Sequence, residues 1–301
     1  MRVTLTGATG RIGTRIVTAL RQRGDEVTVL SRSPDKARAA LGVEAVGWQP
    51  ESGPAPAAAL AGRDAVVHLA GEDIAQRWND EVKRRLMDSR RIGTRNLVAG
   101  LEAAEPRPAV LVSSAATGWY GPRGDEPVDE DTPAGDDFLA EVCEAWETEA
   151  ATAEAFGVRV VRVRTGIVLD RQTGALEKML LPFKLGVGGP VAGGAQYLPW
   201  IHLDDVVGIY LAALDGKGWS GPVNGTAPEP VTNKAFSRAL GRALHRPAFA
   251  PIPGFAIKLL YGGMATLVVD GQRAVPKRTL ALGYAFDHPR LDEALESALA
   301  G

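Results

Sequence analysis

One stretch, TLTGATGRIGTRIV at residues 4–17, constrains this chain more than any other. Arg2 to Leu5 form a short apolar-rich strand. Beyond the turn, Ile16, Val17 and Leu20 recur at helical spacing up to a stop at Gly24. Gly7, Gly10 and Gly13 stand between strand and helix, each with its own physical reason. Gly7 permits the tight turn, Gly10 lets a pyrophosphate approach the backbone, and Gly13 lets helix and strand pack closely. The helix N-terminus then presents free N–H groups and a positive dipole end to phosphate. Three spaced glycines alone are a weak signal and also fit a purely structural turn. The surrounding pattern decides. EVTVL (26–30), DAVVHLAG (64–71), PAVLVSS (108–114) and VRVVRVRTGIVL (158–169) read as further strands, with helical segments between them. That alternation predicts βαβ units: an α/β fold, with a doubly wound parallel sheet carrying helices on both faces and a smaller C-terminal α+β lobe over its cleft.

A dinucleotide site of this kind needs a group for the adenosine ribose at the tip of the second strand. An acidic residue there binds a free 2′-hydroxyl. This chain has Ser31-Arg32-Ser33 instead. Arg32 can make charge-assisted contacts to a 2′-phosphate, and the two hydroxyls add donors. NADP(H) is the cofactor expected, although Asp35 lies close enough in sequence to pull the other way.

Charge and composition narrow the partners. A net charge of −2 with no block of like charges argues against nucleic acid or an anionic membrane as the main partner, and points to a small molecule. The single cysteine, Cys143, excludes an internal disulfide and fits a reducing compartment. With no apolar run of spanning length and no signal-peptide pattern, a cytoplasmic protein is expected. Oligomeric state leaves no trace in the sequence.

The GATGRIG turn, the HLAG strand end and the VSS strand together resemble the short-chain dehydrogenase/reductase superfamily, in its extended branch. GEDIAQRWNDEVKRRLMDSRRIGT, DFLAEVCEAWETEA, RTGIVLDRQTGALEKMLLPFKLGVGGPVAGGAQYLPWIHLDD and NGTAPEPVTNKAFS narrow the likeness. They are similar to an atypical, epimerase-like NADP-binding family with a C-terminal domain of unknown function, here running from RPAFAPIPGF to LDEAL. The resemblance implies an NADP-binding Rossmann domain over 1–170, to which 200–226 returns, and a substrate lobe built from 171–199 and 227–301. It also implies cofactor contacts: Gly7, Thr9, Gly10 and Ile12 in the phosphate turn, and Ser31 and Arg32 at the 2′-phosphate. Leu69 and Ala70 would flank the adenosine, Arg90 would approach from the long helix, and Val168 would lie near the nicotinamide end. Arg90 has a local rationale too, as a cation in DSRRIG that offsets phosphate charge. A solvated helix arginine fits it equally well.

In the broader superfamily a Tyr-x-x-x-Lys helix supplies the proton that accompanies hydride transfer. The corresponding helix here, DFLAEVCEAWETEA, has neither residue; Cys143, Trp146 and Glu147 occupy that region. Tyr120, just past the VSS strand, is then the nearest candidate acid, with Glu147 second; packing under the loop is the alternative for Tyr120. Ser114 and Ser113 are expected to orient ligand groups, and Cys143 to be core. The segment LPFKLGVGGPVAGGAQ reads as a glycine-rich cleft loop, with Phe183, Lys184 and Gln196 as candidate substrate contacts. His202, Asp204 and Asp205 raise the question of a metal. No metal is expected, because His68, His245 and His288 are scattered and a helix N-cap by Asp204 accounts for that aspartate. The function expected is an NADP(H)-dependent, epimerase-like oxidoreductase acting on a small molecule. The alternative is a non-catalytic NADPH-binding sensor or regulatory protein.

Overall fold

The computed structural model describes residues 1–300, with the backbone alone for 260 and 261. In chain order the first half comprises β1 (Arg2–Thr6), α1 (Arg11–Gln22), β2 (Glu26–Ser31), α2 (Pro34–Leu41), β3 (Glu44–Gly47), β4 (Ala65–His68), α3 (Asp80–Glu102), β5 (Val110–Ala116), β6 (Pro127–Val128), α4 (Phe138–Ala151) and β7 (Arg159–Thr165). The second half adds β8 (Ile167–Leu169), α5 (Gly174–Lys184), β9 (Tyr197–Leu198), β10 (Trp200–His202), α6 (Leu203–Asp215), β11 (Gly221–Gly225), β12 (Val231–Thr232) and α7 (Asn233–Ala243). It ends with α8 (Gly254–Tyr261), α9 (Thr266–Val269), β13 (Arg273–Ala274), α10 (Lys277–Ala281) and α11 (Leu291–Ala300).

Seven strands form one parallel sheet in the order β11-β7-β5-β4-β1-β2-β3; its parallel form is the one the βαβ alternation predicts, and β3 and β11 add to the five strands read from the sequence. Strands such as β4 are buried along their whole length, because helices cover both faces. One core packs α1 and α6 onto the sheet through Ile16, Leu20, Val206 and Ile209. The other packs α3 through Leu97 and Leu101. From β1 the chain winds outward to β2 and β3, then returns past β1 to β4. That reversal leaves a crevice at the carboxyl ends of β1 and β4, where open α/β sheets bind ligands. No helix among the described residues is long and apolar enough to cross a membrane.

Two segments differ from the sequence reading. VRVVRVRTGIVL is not one strand: β7 stays in the sheet, while β8 leaves it to pair with β10. The break falls at Gly166, where a Cβ would lie 2.0 Å from the Pro199 carbonyl oxygen. Only a residue without a side chain lets the two backbones approach so closely, and Ile167 N–H then donates to that carbonyl at 2.7 Å. The start of the glycine-rich segment is the end of α5 rather than a loop. Pro182 removes one of that helix's hydrogen bonds. Burial of Leu176 and Phe183 in a third core with Trp200, Phe236 and Leu295 holds it helical all the same.

The second lobe is mainly helical with short two-stranded pairs. Its last part returns over the sheet. Met264 packs against Trp78, Val82 and Leu86, and β13 pairs with β6, so residues 262–274 lie across the carboxyl side of the Rossmann core.

Candidate functional site

The phosphate turn is built by its glycines in three distinct ways. Gly7 adopts φ +66°, and a Cβ on it would sit 2.7 Å from the Leu69 carbonyl. A Cβ at Gly13 would lie 2.5 Å from the Gly7 oxygen. Gly10 is different: its nearest neighbour would be that same oxygen at 3.4 Å, ordinary contact, so the protein itself leaves the space open. Gly10 also stands at the N-cap of α1 and offers no capping side chain. The first-turn N–H groups therefore face the crevice without a side-chain acceptor, as an anion site requires.

The turn opens into a cavity of about 260 Å³ at the β1–β4 crevice. Of the expected cofactor residues, Gly7, Thr9, Gly10, Ser31, Arg32, Leu69 and Ala70 line it. Ile12 lies in the first turn of α1, Gly13 packs beneath the turn, and Val168 lies on β8, outside that lining. Trp48, Pro50, Glu51, Glu72 and Ser89 also line the cavity and were not foreseen. A signal existed for the first three: they follow β3 directly, and every carboxyl end of a parallel strand borders the crevice.

A threonine holds the β4 edge in place. Thr6 Oγ1 accepts from Leu69 N–H and Ala70 N–H, both at 3.1 Å. With both lone pairs engaged, its own proton goes to His68 Nδ1 at 2.7 Å, which leaves Nε2–H of His68 to donate to Thr94 Oγ1 at 3.0 Å. His68 is fully buried, and burial depresses its pKa to about 4, so it is neutral in this clasp.

At the β2 tip Arg32 is exposed and borders the cavity beside Ser31. Asp35 does not compete for the ribose position, because it lies in the first turn of α2 and pairs with Arg38 at 2.8 Å. Glu72 lies across the cavity from it; its carboxyl is held low chiefly by a hydrogen bond from Gln76, with Arg85 and Arg32 adding positive charge. Beneath Gly71 lies the Arg90 guanidinium, 5.0 Å from the Trp146 ring, donating to the Leu86 carbonyl at 3.3 Å. Burial pulls its pKa down, and no carboxylate forms an ion pair with it among the described residues.

The expected proton donors are placed elsewhere. Tyr120 is fully buried and its hydroxyl donates to Asn224 Oδ1 at 2.7 Å. Burial pushes its pKa up to about 12. Glu147 is equally buried, gripping Arg164 through two contacts of 2.7 and 3.0 Å. Arg164 also donates to the Tyr120 hydroxyl at 3.2 Å and lies 3.9 Å over the Trp119 ring. Tyr120 and Glu147 are thus two partners of one buried cation and do not line the cavity at the phosphate turn. Ser114 is half-buried at the carboxyl end of β5. Ser113 is buried beside it. Cys143 is buried in the core, its thiol pushed up to about 12 by burial.

Three further expectations also change. Phe183 belongs to the lobe's core rather than to a ligand surface. The Gln196 amide donates to the Val191 and Val268 carbonyls at 3.1 and 2.9 Å, fastening its loop to the C-terminal segment. The N-cap of α6 is His202, whose Nδ1 accepts from Asp204 N–H at 3.1 Å, so Asp204 lies in the first turn. His288, remote in sequence, reaches the same corner with ring centroids 3.8 Å from His202.

Residues 3–223 match the model of the NAD dependent epimerase/dehydratase family, and residues 252–298 match a domain of unknown function, DUF1731. Epimerase family protein SDR39U1 of Bos taurus is 40% identical over 306 residues, covering 100% of both chains. Epimerase family protein YfhF of Bacillus subtilis (strain 168) is 35% identical over 301 residues, covering 100% of this chain and 98% of its own. A crystal structure of human SDR39U1 (isoform2) with NADPH superposes with a TM-score of 0.87 at 36% identity, covering 100% of this chain and 99% of that one.

Proposed function

The chain belongs to the NAD dependent epimerase/dehydratase family, and we propose that within it the protein is an NADP(H)-dependent oxidoreductase, epimerase-like in architecture, acting on a small molecule. The observation that carries this reading is the β2 tip, where Ser31 and an exposed Arg32 border the cavity and the nearby Asp35 is turned to Arg38. A 2′-phosphate fits that position, since the β2 tip itself carries hydroxyls and a guanidinium where an acidic residue would hold a free 2′-hydroxyl.

The remaining residues fit the rest of the dinucleotide. The open space at Gly10 and the uncapped first turn of α1 suit the pyrophosphate. The Leu69–Ala70 edge, held by Thr6, and Trp48 and Pro50 opposite suit the adenosine. Arg90, without a carboxylate partner beneath Gly71, adds positive potential under the phosphates. NADPH supplies a hydride when bound. Ser114, at the carboxyl end of β5, is the member of the expected catalytic set left to orient a substrate oxygen.

The relative of known structure, solved with NADPH, supports the same reading. The test is a binding titration of NADPH and NADH. NADPH is expected to bind more tightly, and Arg32→Ala to remove about 1.5–3 kcal/mol, roughly 10- to 100-fold, from NADPH alone. Equal affinity of the native protein for both dinucleotides would end the proposal.

A non-catalytic NADPH-binding sensor is the second reading, favoured by the engagement of Tyr120 and Glu147 with Arg164. A metabolite screen that follows NADPH oxidation, with products identified, separates the two: reproducible turnover is expected of the enzyme and excluded for the sensor.

A further inference from the structure

The chain as a whole carries a net charge of −2, but that charge is unevenly placed. Segments 174–194 and 227–259 hold seven Lys and Arg against two Glu, a net of +5. Among the described residues, the same segments carry six of the eight large apolar side chains most exposed to solvent: Leu181, Leu185, Val187, Phe249, Phe255 and Leu259, each between 58% and 77% exposed.

Leu181, Leu185, Val187 and Phe249 lie on two adjacent segments. Residues 184–192 and 246–252 run side by side. Arg246 Nε donates to the Lys184 carbonyl at 3.3 Å, a Cβ at Gly189 would meet the Ala250 backbone, and Ile252 N–H donates to the Pro190 carbonyl at 2.9 Å. Leu185, Val187 and Phe249 stand exposed between those rungs, and Leu181 on α5 lies one turn before Leu185, which caps that helix. Along α7, Arg238 and Arg242 recur at i and i+4, and His245 and Arg246 continue beyond it. With Phe249 they line one open groove. Arg238, Arg246 and Phe249 therefore share one face, with Arg242 beside them paired to Asp292 of α11 at 2.6 Å.

We propose that this face docks the protein peripherally on an anionic lipid bilayer. A bilayer offers both chemistries at once, negative headgroups for the arginines and hydrocarbon for side chains that project singly. A second copy of the chain suits the face poorly, since a two-fold contact would set the same arginines against their own copies. The charge complementarity is local, which is why the net charge of the chain conceals it.

The test is co-sedimentation of the full chain with vesicles of phosphatidylcholine containing about one-third phosphatidylserine, against vesicles of phosphatidylcholine alone. Binding is expected to the first and not the second, and to fall as salt is raised toward molar concentrations. Phe249→Glu and Leu185→Glu are expected each to lower the bound fraction at least about tenfold with an unchanged melting temperature, since both side chains stand in solvent. Arg238→Glu should act in the same direction. Absence of binding to the anionic vesicles, or equal binding to both kinds, would overturn the proposal. So would a dimer in sedimentation equilibrium that Phe249→Glu dissociates, because the face would then belong to a second copy.

Discussion

At the scale of single residues, Gly10 separates ligand binding from folding. A Cβ there would meet the Gly7 oxygen at 3.4 Å, ordinary contact, whereas Gly7 and Gly13 are locked by backbone contacts under 3 Å. Gly10→Val is therefore expected to unfold at nearly the native denaturant concentration yet lose NADPH binding, read by urea titration and calorimetry. Normal NADPH affinity in that variant would remove the phosphate-turn assignment. The Arg164 cluster makes the opposite forecast. Tyr120→Phe leaves the Asn224 acceptor without its donor and should cost about 1–3 kcal/mol of stability. Glu147→Gln leaves a buried guanidinium uncompensated and should cost about 3–5 kcal/mol. On any substrate the screen finds, turnover per folded Tyr120→Phe molecule should stay near the native value. A large fall in turnover with unchanged stability would return the tyrosine to the chemistry.

At the scale of elements, the boundary between β7 and β8 decides how the second lobe is attached. Residues 158–169 are rich in β-branched residues on both sides of Thr165-Gly166, yet the chain changes sheets at Gly166. Gly166→Ala would drive a methyl group into the Pro199 carbonyl and pry the start of β8 from the start of β10. A loss of about 1–3 kcal/mol is expected from such overpacking, measured by equilibrium unfolding. An unchanged midpoint would mean that the junction yields easily and that β8 is not anchored there. The α5 segment teaches a related lesson. Its proline and following glycines read as loop, and burial of Leu176 and Phe183 outweighed that local signal.

At the scale of the molecule, pH reaches the cofactor edge through one buried histidine. The pKa of His68 near 4 lies below the ordinary 6.5, so the folded state binds fewer protons than the unfolded chain. Its contribution is complete above pH 6.5 and is lost as pH falls from there toward 4, in total about 3 kcal/mol. A proton on Nδ1 would also face the Thr6 hydroxyl proton and open the clasp on Leu69 and Ala70. Urea midpoints are thus expected to fall steadily between pH 6.5 and 4.5. His68→Gln should be less stable at neutral pH but flatter across that window. The same slope in both proteins would assign the pH dependence to other groups.

The glycine turn, five of the seven sheet strands, the two-faced sheet and the serine–arginine tip of β2 were legible in the sequence. Each is written in local periodicity or in a backbone requirement that one residue type meets. The family motifs added the C-terminal domain by likeness. Tertiary structure alone decided which polar groups meet. Tyr120 finds Asn224 across 104 positions, Glu147 finds Arg164, and Gly166 meets Pro199. His288 reaches His202, and the arginines of α7 gather beside Phe249. A hydrogen bond or a charge patch depends on distances of a few ångströms between segments that chain order keeps far apart, and no periodicity encodes them. That is why the cofactor crevice could be anticipated from one short turn, while the fate of the expected proton donors had to wait for the packed core.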